Sequence, residues 1–269
     1  MSRYRQEVLN ILARSDTRVS ANAFIKAIQE QFSVSSRCAR TILKELVDDQ
    51  VLSYQDLYGT TYVETNFLKP VHISKHFTLQ PWKQADSNQS QTIDIVVHQG
   101  ISFGSGQHPT TRLFLMAIDD CLLEKPCMDM ETFRMGADIG TGSGVLAIAL
   151  CRSGRLDCIA YDIDPIAVNE AQKNIALNRL ENRIDLKDTP FTQMPDYFSV
   201  ICANLRWPTL YTLADSIRIS LKENGVAILS GVRPWEKNAL IDWYADKHFS
   251  LLWQKDEKNW SAFVLMKHL

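Results

Sequence analysis

Asp138 is followed by glycines at 140, 142 and 144, and a second acid, Asp162, closes the next apolar run. Alternating glycines permit positive φ angles and remove the Cβ atoms that would hold a ligand off the backbone. A helix starting directly after them offers unpaired N–H groups at its first turn. This is chemistry for holding a nucleotide. A dinucleotide fingerprint would place its third glycine one residue later, where Val145 stands. Gly-x-Gly-x-Gly two residues after an acid points instead to S-adenosylmethionine, and Asp162, about twenty residues on, falls where a ribose hydroxyl pair is bound. A second stretch, Gly100-Ile-Ser-Phe-Gly-Ser-Gly-Gln-His-Pro-Thr-Thr-Arg112, packs three glycines and a proline into a loop with little side-chain bulk. Such loops approach ligands closely, and Thr110 or Thr111 can cap the helix that runs on to Leu123.

The elements that must position these residues follow from periodicity. Ala137 to Leu150 reads as strand, glycine turn and helix, and Cys158 to Tyr161 as the next strand. Asp164-Pro165 opens a helix over Ile166 to Leu180, with Asp as N-cap and Pro at the first position. Strands follow over Arg183 to Leu186, Phe198 to Asn204 and Gly225 to Leu229, with a helix over Leu205 to Leu221 between the last two. Leu240 to Asp246 is helical, and Phe249 to Lys255 with Trp260 to Met266 form a terminal antiparallel pair. The alternation predicts an α/β fold with a doubly wound, mostly parallel sheet closed by an antiparallel C-terminal hairpin, the layout of class I methyltransferases. Asp138, Gly140, Asp162 and Asn204 then sit at the carboxyl ends of strands, where such sheets bind ligands.

Ahead of this sheet, residues 4 to 15, Ala21 to Phe32 and about 36 to 49 carry helical apolar patterns, and Val51 to Val63 alternates around a Tyr58-Gly59 turn. Three helices and a hairpin resemble a winged helix-turn-helix. Arg37, Arg40 and Lys44 share one face of the third helix, but residues 1 to 66 balance eight Lys or Arg against eight Asp or Glu. That neutrality gives nucleic-acid binding little support and favours a solvated face on a domain that docks a protein or packs on its neighbour. The expected division is a winged-helix-like domain over 1–66, an extended linker with β-segments over 67–100, and the cofactor-binding domain over 101–269.

The chain has 269 residues and a net charge of −2, which supplies no bulk attraction to nucleic acid or anionic membranes. No apolar run is long enough to span a bilayer, and the first residues show no signal-peptide core, so a cytoplasmic protein is expected. Six scattered cysteines without a Cys-x-x-Cys pair read as reduced thiols, and no metal site is expected.

Phe103-Gly-Ser-Gly-Gln-His-Pro-Thr-Thr111, Asp138-Ile-Gly-Thr-Gly-Ser-Gly144, Asp162-Ile-Asp-Pro165 and Ala203-Asn204-Leu205 resemble, in order and spacing, the PrmA family of bacterial methyltransferases, which act on lysine and amino-terminal amines of a ribosomal stalk protein. Pro81-Trp82, Leu229-Ser-Gly231 and Asn259-Trp-Ser-Ala-Phe-Val-Leu fit as well, so the resemblance spans Leu68 to Leu269. It implies S-adenosylmethionine as cofactor, contacted by Thr111, Gly140, Gly142, Gly144, Asp138, Asp162 and Asn204, with the loop carrying Phe103, Gly104, Gly106 and His108 folding over the methyl donor. It further implies a protein amine as acceptor, positioned by Asn204. The chain departs from the family pattern at Ser105, at His98-Gln99 and in its front end. Asn204 is followed by Leu-Arg-Trp rather than by two prolines and an aromatic, which argues against planar nitrogens as targets. Two alternatives stay open: a small-molecule methyltransferase, and a DNA-binding regulator that senses adenosylmethionine.

Overall fold

The computed structural model describes residues 2–15, 19–49, 51–57, 59–65, 70–82, 92–98, 108–127, 135–154 and 156–269. Two compact units are present, Met1–Leu68 and Lys69–Leu269. In the first, α1 (Ser2–Arg14), β1 (Val19–Ser20), α2 (Ala21–Phe32), α3 (Ser36–Asp48), β2 (Leu52–Leu57) and β3 (Thr60–Thr65) follow in order. The Ser20 and Ser35 side chains accept N–H bonds from Ala23 and Cys38, capping α2 and α3. Phe24 and Ile28 of α2 meet Ala39, Leu43 and Leu46 of α3 in a core closed by Val8, Leu52 and Val63. The small sheet has the order β1-β3-β2. β1 is two residues long, too short for alternation to betray it. Tyr58, expected in the hairpin turn, lies outside the described residues.

The second unit begins with β4 (Val71–His72), β5 (Phe77–Pro81) and β6 (Ile93–Val97), a separate sheet in which β5 pairs antiparallel with β4 and parallel with β6. Next comes α4 (Pro109–Ile118), which continues as a π-helical turn over Asp119–Glu124. The main sheet and its helices follow as β7 (Met135–Ile139), α5 (Val145–Ser153), β8 (Asp157–Tyr161), α6 (Pro165–Leu177), β9 (Ile184–Lys187), β10 (Phe198–Asn204), α7 (Trp207–Ser220), β11 (Leu221–Val232), α8 (Pro234–Ala245), β12 (Phe249–Glu257) and β13 (Trp260–Lys267).

The main sheet runs β12-β13-β11-β10-β7-β8-β9, parallel throughout except for β13, which pairs antiparallel with both β11 and β12. β10 and the Val226–Leu229 part of β11 read as apolar runs because helices cover both faces of the sheet. All of α5 except Arg152 is buried, so its sequence is apolar around its whole circumference. α8 starts at Pro234, six residues before the predicted helix. Proline is at home in a first turn, and the Glu236 carboxylate accepts the Arg233 N–H at 2.8 Å to hold the start.

β6 shows how side chains complete backbone pairing. Asn178 accepts from the Val96 N–H at 3.0 Å and donates to the Val96 carbonyl at 2.6 Å, while Asn174 one turn earlier accepts from the His98 N–H at 2.7 Å. Two asparagines of α6 thus satisfy backbone groups that a further strand would have taken.

Candidate functional site: a crevice at the switch point

β8 and β9 extend the sheet to one side of β7 and β10 to the other, so the order reverses between β7 and β10, where doubly wound sheets open a crevice at their carboxyl edge. In that register Asp138 lies beside Cys202 and Ile139 beside Ala203, which carries Asn204 to the rim.

The glycine turn leaves β7 with φ of 71° at Gly140, 57° at Gly142 and 80° at Gly144, all in the left-handed region. The Gly140 and Thr141 N–H groups both donate to the Tyr161 carbonyl, at 2.8 and 2.9 Å, binding the turn to the end of β8. A Cβ on Gly140 would stand 2.6 Å from the Leu205 side chain, and one on Gly144 would press on Ala171 of α6 at 3.3 Å. These two glycines therefore serve the packing of the turn as well as access to it. Asp162 accepts from the Gly142 N–H at 2.8 Å and from the Asp164 N–H at 3.0 Å, which fixes its carboxylate at the end of β8 with lone pairs to spare for hydroxyl donors.

Asp138 is fully buried. One of its oxygens accepts from the Thr141 hydroxyl at 2.6 Å and the Ala147 N–H at 3.1 Å, and the other has no hydrogen-bond partner. Burial pushes its pKa up to about 7 against the pull of those two bonds, and the nearby Asp162 charge adds to the rise. Three further buried polar atoms at this edge lack a partner: Thr111 Oγ1 in the first turn of α4, Asn204 Oδ1 at the end of β10 and Trp207 Nε1 at the start of α7. Native proteins rarely leave such atoms unpaired, so atoms of this kind near strand ends are candidates to meet a ligand.

A hydrogen-bond chain links the end of β10 to the start of α4. The Asn204 Nδ2 group reaches Thr110 Oγ1 at 3.1 Å, and Thr110 Oγ1 lies 2.8 Å from His108 Nδ1, which also takes the Thr110 N–H at 3.3 Å as the cap of α4. Because Nδ1 acts as acceptor, the single Thr110 proton points to His108, and the threonine oxygen must accept from the Asn204 amide. The Asn204 carbonyl oxygen is therefore the atom left buried and unbonded. His108 Nδ1 is occupied, so this nitrogen caps a helix instead of waiting as a base. Cys202 is buried in mid-strand with its thiol pushed well above the ordinary range by desolvation, which makes it a wall residue.

Phe103, Gly104 and Gly106 lie outside the described residues. The cap of α4 is His108 and not Thr110 or Thr111 as expected, because the His108 ring nitrogen takes the Thr110 N–H and the two threonines fall inside the first turn. The two asparagines at 174 and 178 carry weight that pattern reading did not assign. Gly231 has φ 90°, and a Cβ there would stand 2.3 Å from the Leu205 carbonyl oxygen, so it lets the backbone after Asn204 pass close to β11. The family pattern Leu229-Ser-Gly231 marks this glycine without giving its reason. Away from the crevice, His76, Asp119 and Glu124 bring ligating atoms within 4.8 Å of one another, and Lys75 also bonds Glu124. Among the described residues no helix is long and apolar enough to cross a membrane.

The family profile described as ribosomal protein L11 methyltransferase (PrmA) matches residues 5–268. The chain belongs to this family. A ribosomal protein L11 methyltransferase of Trichlorobacter lovleyi is 37% identical over 174 residues, covering 64% of this chain and 56% of that one. Another, from Citrifermentans bemidjiense, is 33% identical over 205 residues, covering 75% and 64% respectively. The chain thus spans less than two thirds of the length of these relatives. Among solved structures, ribosomal protein L11 methylase from Lactobacillus delbrueckii subsp. bulgaricus superposes with a TM-score of 0.64 at 27% identity, covering 74% of this chain and 99% of that one. The PrmA membership and the sheet order agree on a class I methyltransferase fold for the second unit.

Proposed function

We propose that this chain is an S-adenosylmethionine-dependent N-methyltransferase acting on a protein amine, a lysine side chain or an amino terminus. The observation that carries the reading is the Asn204 amide at the end of β10, turned by Thr110 so that a buried carbonyl oxygen is left for an N–H donor. The residues present fit the cofactor. Asp162 suits ribose hydroxyls, Gly140, Gly142 and Gly144 shape the turn, and Asp138 and Thr111 hold polar atoms in reserve; Phe103, Gly104, Gly106 and His108 are assigned to the same ligand by the family pattern. When bound, the cofactor supplies a methyl group on a positively charged sulfur, which requires an in-line nucleophile.

The protein's part is alignment. An ammonium has no lone pair, so the acceptor amine must first lose a proton to solvent. Asn204 Oδ1 then accepts one of its remaining N–H bonds and directs the lone pair across the crevice. Buried Asp138, Cys202 and Thr111 keep the surroundings dry, which strengthens that hydrogen bond. The relatives' printed names make ribosomal protein L11 the first acceptor to test, with a cytoplasmic setting. Residues 1–66 are assigned as a winged-helix-like module distinct from the 101–269 catalytic region, with 67–100 between them.

The test is transfer of a labelled methyl group from S-adenosylmethionine to purified ribosomal protein L11 and to a host lysate, with and without protease, followed by mass spectrometry. Label on lysine or an amino terminus is expected. Label that survives protease in a small molecule would move the assignment to that class, and absence of any heat of cofactor binding would remove it.

A further inference from the structure

The neutral charge of the first unit conceals an uneven distribution. On α3, Arg37, Arg40 and Lys44 are exposed and, at spacings of three and four, fall on one arc of the helix away from Ala39, Leu43 and Leu46. None of the three makes an ion pair with a described residue. No acid stands between Arg37 and Lys44 in the sequence; the acids of this helix, Glu45 and Asp48, come at its end, Asp48 one turn after Lys44 on the same arc, followed by Asp49 at the C-cap. This order opposes the helix dipole at both ends, and Arg40 with Lys44 is a like-charged pair one turn apart. A merely solvated helix would be more stable with the charges exchanged. An arrangement that local electrostatics disfavours is expected where a surface is reserved for a partner.

The connectivity specifies the partner further. α2 ends at Phe32 and α3 begins at Ser36, so a three-residue turn joins them, and α3 leads into the β2–β3 hairpin. A second helix after a short turn is the element that such motifs place in a major groove. α3 has 13 residues and presents the cations on its first nine. A helix about 10–12 Å wide fits the B-form groove of about 12 Å, whereas the A-form major groove is too narrow to admit it. We propose that the exposed face of α3 docks B-form duplex DNA, with Arg37, Arg40 and Lys44 on phosphates. This inference is independent of the methyl-transfer reading.

The experiment titrates the full chain into a labelled DNA duplex of about two helical turns by fluorescence anisotropy, between about 50 and 200 mM salt. Binding is expected with a log–log salt slope near −3, each alanine substitution reducing its magnitude by about 1. The triple variant Arg37→Ala, Arg40→Ala, Lys44→Ala should bind at least about tenfold more weakly while its unfolding temperature holds or rises. If that variant unfolds early, Arg40→Gln, at an exposed position, decides by the slope change alone. No binding, binding untouched by the substitutions, or equal displacement by A-form duplex RNA or polyglutamate would each overturn the proposal. Cofactor affinity is expected to be the same in all variants.

Discussion

A single carboxyl group sets the pH behaviour of the crevice. The Asp138 pKa stands at about 7 in the folded chain against 3.8 for an ordinary aspartate. Between those values the native state holds a proton that the unfolded chain has released. The resulting contribution to stability is fully present below about pH 4 and is lost as pH rises to about 7, on the order of 4 kcal/mol at most. Urea unfolding across this range should show the decline, and Asp138→Asn should flatten it. A cationic donor molecule prefers the ionised carboxylate, so cofactor affinity measured by calorimetry should strengthen as pH passes 7 and lose that dependence in Asp138→Asn. At Asn204 the expected split is different: Asn204→Ala should lower turnover by about 100-fold while changing cofactor affinity little, since the lost atom faces the acceptor. Equal losses in both would contradict the role given to it.

Elements hold these residues through a few close approaches. Gly231 admits the Leu205 backbone, and Leu205 donates its N–H to the Ser230 carbonyl at 3.1 Å. Gly231→Ala places a Cβ against main chain at positive φ and should cost about 2–4 kcal/mol in chemical unfolding, with turnover falling because Asn204 moves with Leu205. Gly140→Ala meets only a side-chain end, which can turn away, and should cost about 1–2 kcal/mol. At the C-cap of α6, Asn178→Ala leaves the partly buried Val96 N–H and carbonyl without these partners and should cost about 2 kcal/mol, with faster hydrogen exchange at Val96 as its local signature. Pattern reading found α6 but not this clamp, because an asparagine on a helix gives no sign of which backbone it will reach.

At the scale of the whole molecule, the division at residue 68 leaves each unit with its own core. A Lys69–Leu269 fragment is therefore expected to bind the cofactor with affinity close to that of the full chain, measured by calorimetry, because every crevice residue lies within it. The sequence by itself determined the alternation of strands and helices, the glycine turn, the strand-end acids and Asn204, and the family pattern around them, since these are properties of neighbours along the chain. Only the tertiary structure decided that β13 enters between β11 and β12, that Thr110 turns the Asn204 amide, that Gly231 makes room for Leu205, and which oxygens stay unbonded. The β11–β13 pairing, the approach of Leu205 to Gly231 and the Thr110–Asn204 bond join residues 26 to 94 positions apart. Local periodicity carries no record of such meetings; close packing and the need to pair buried polar groups do.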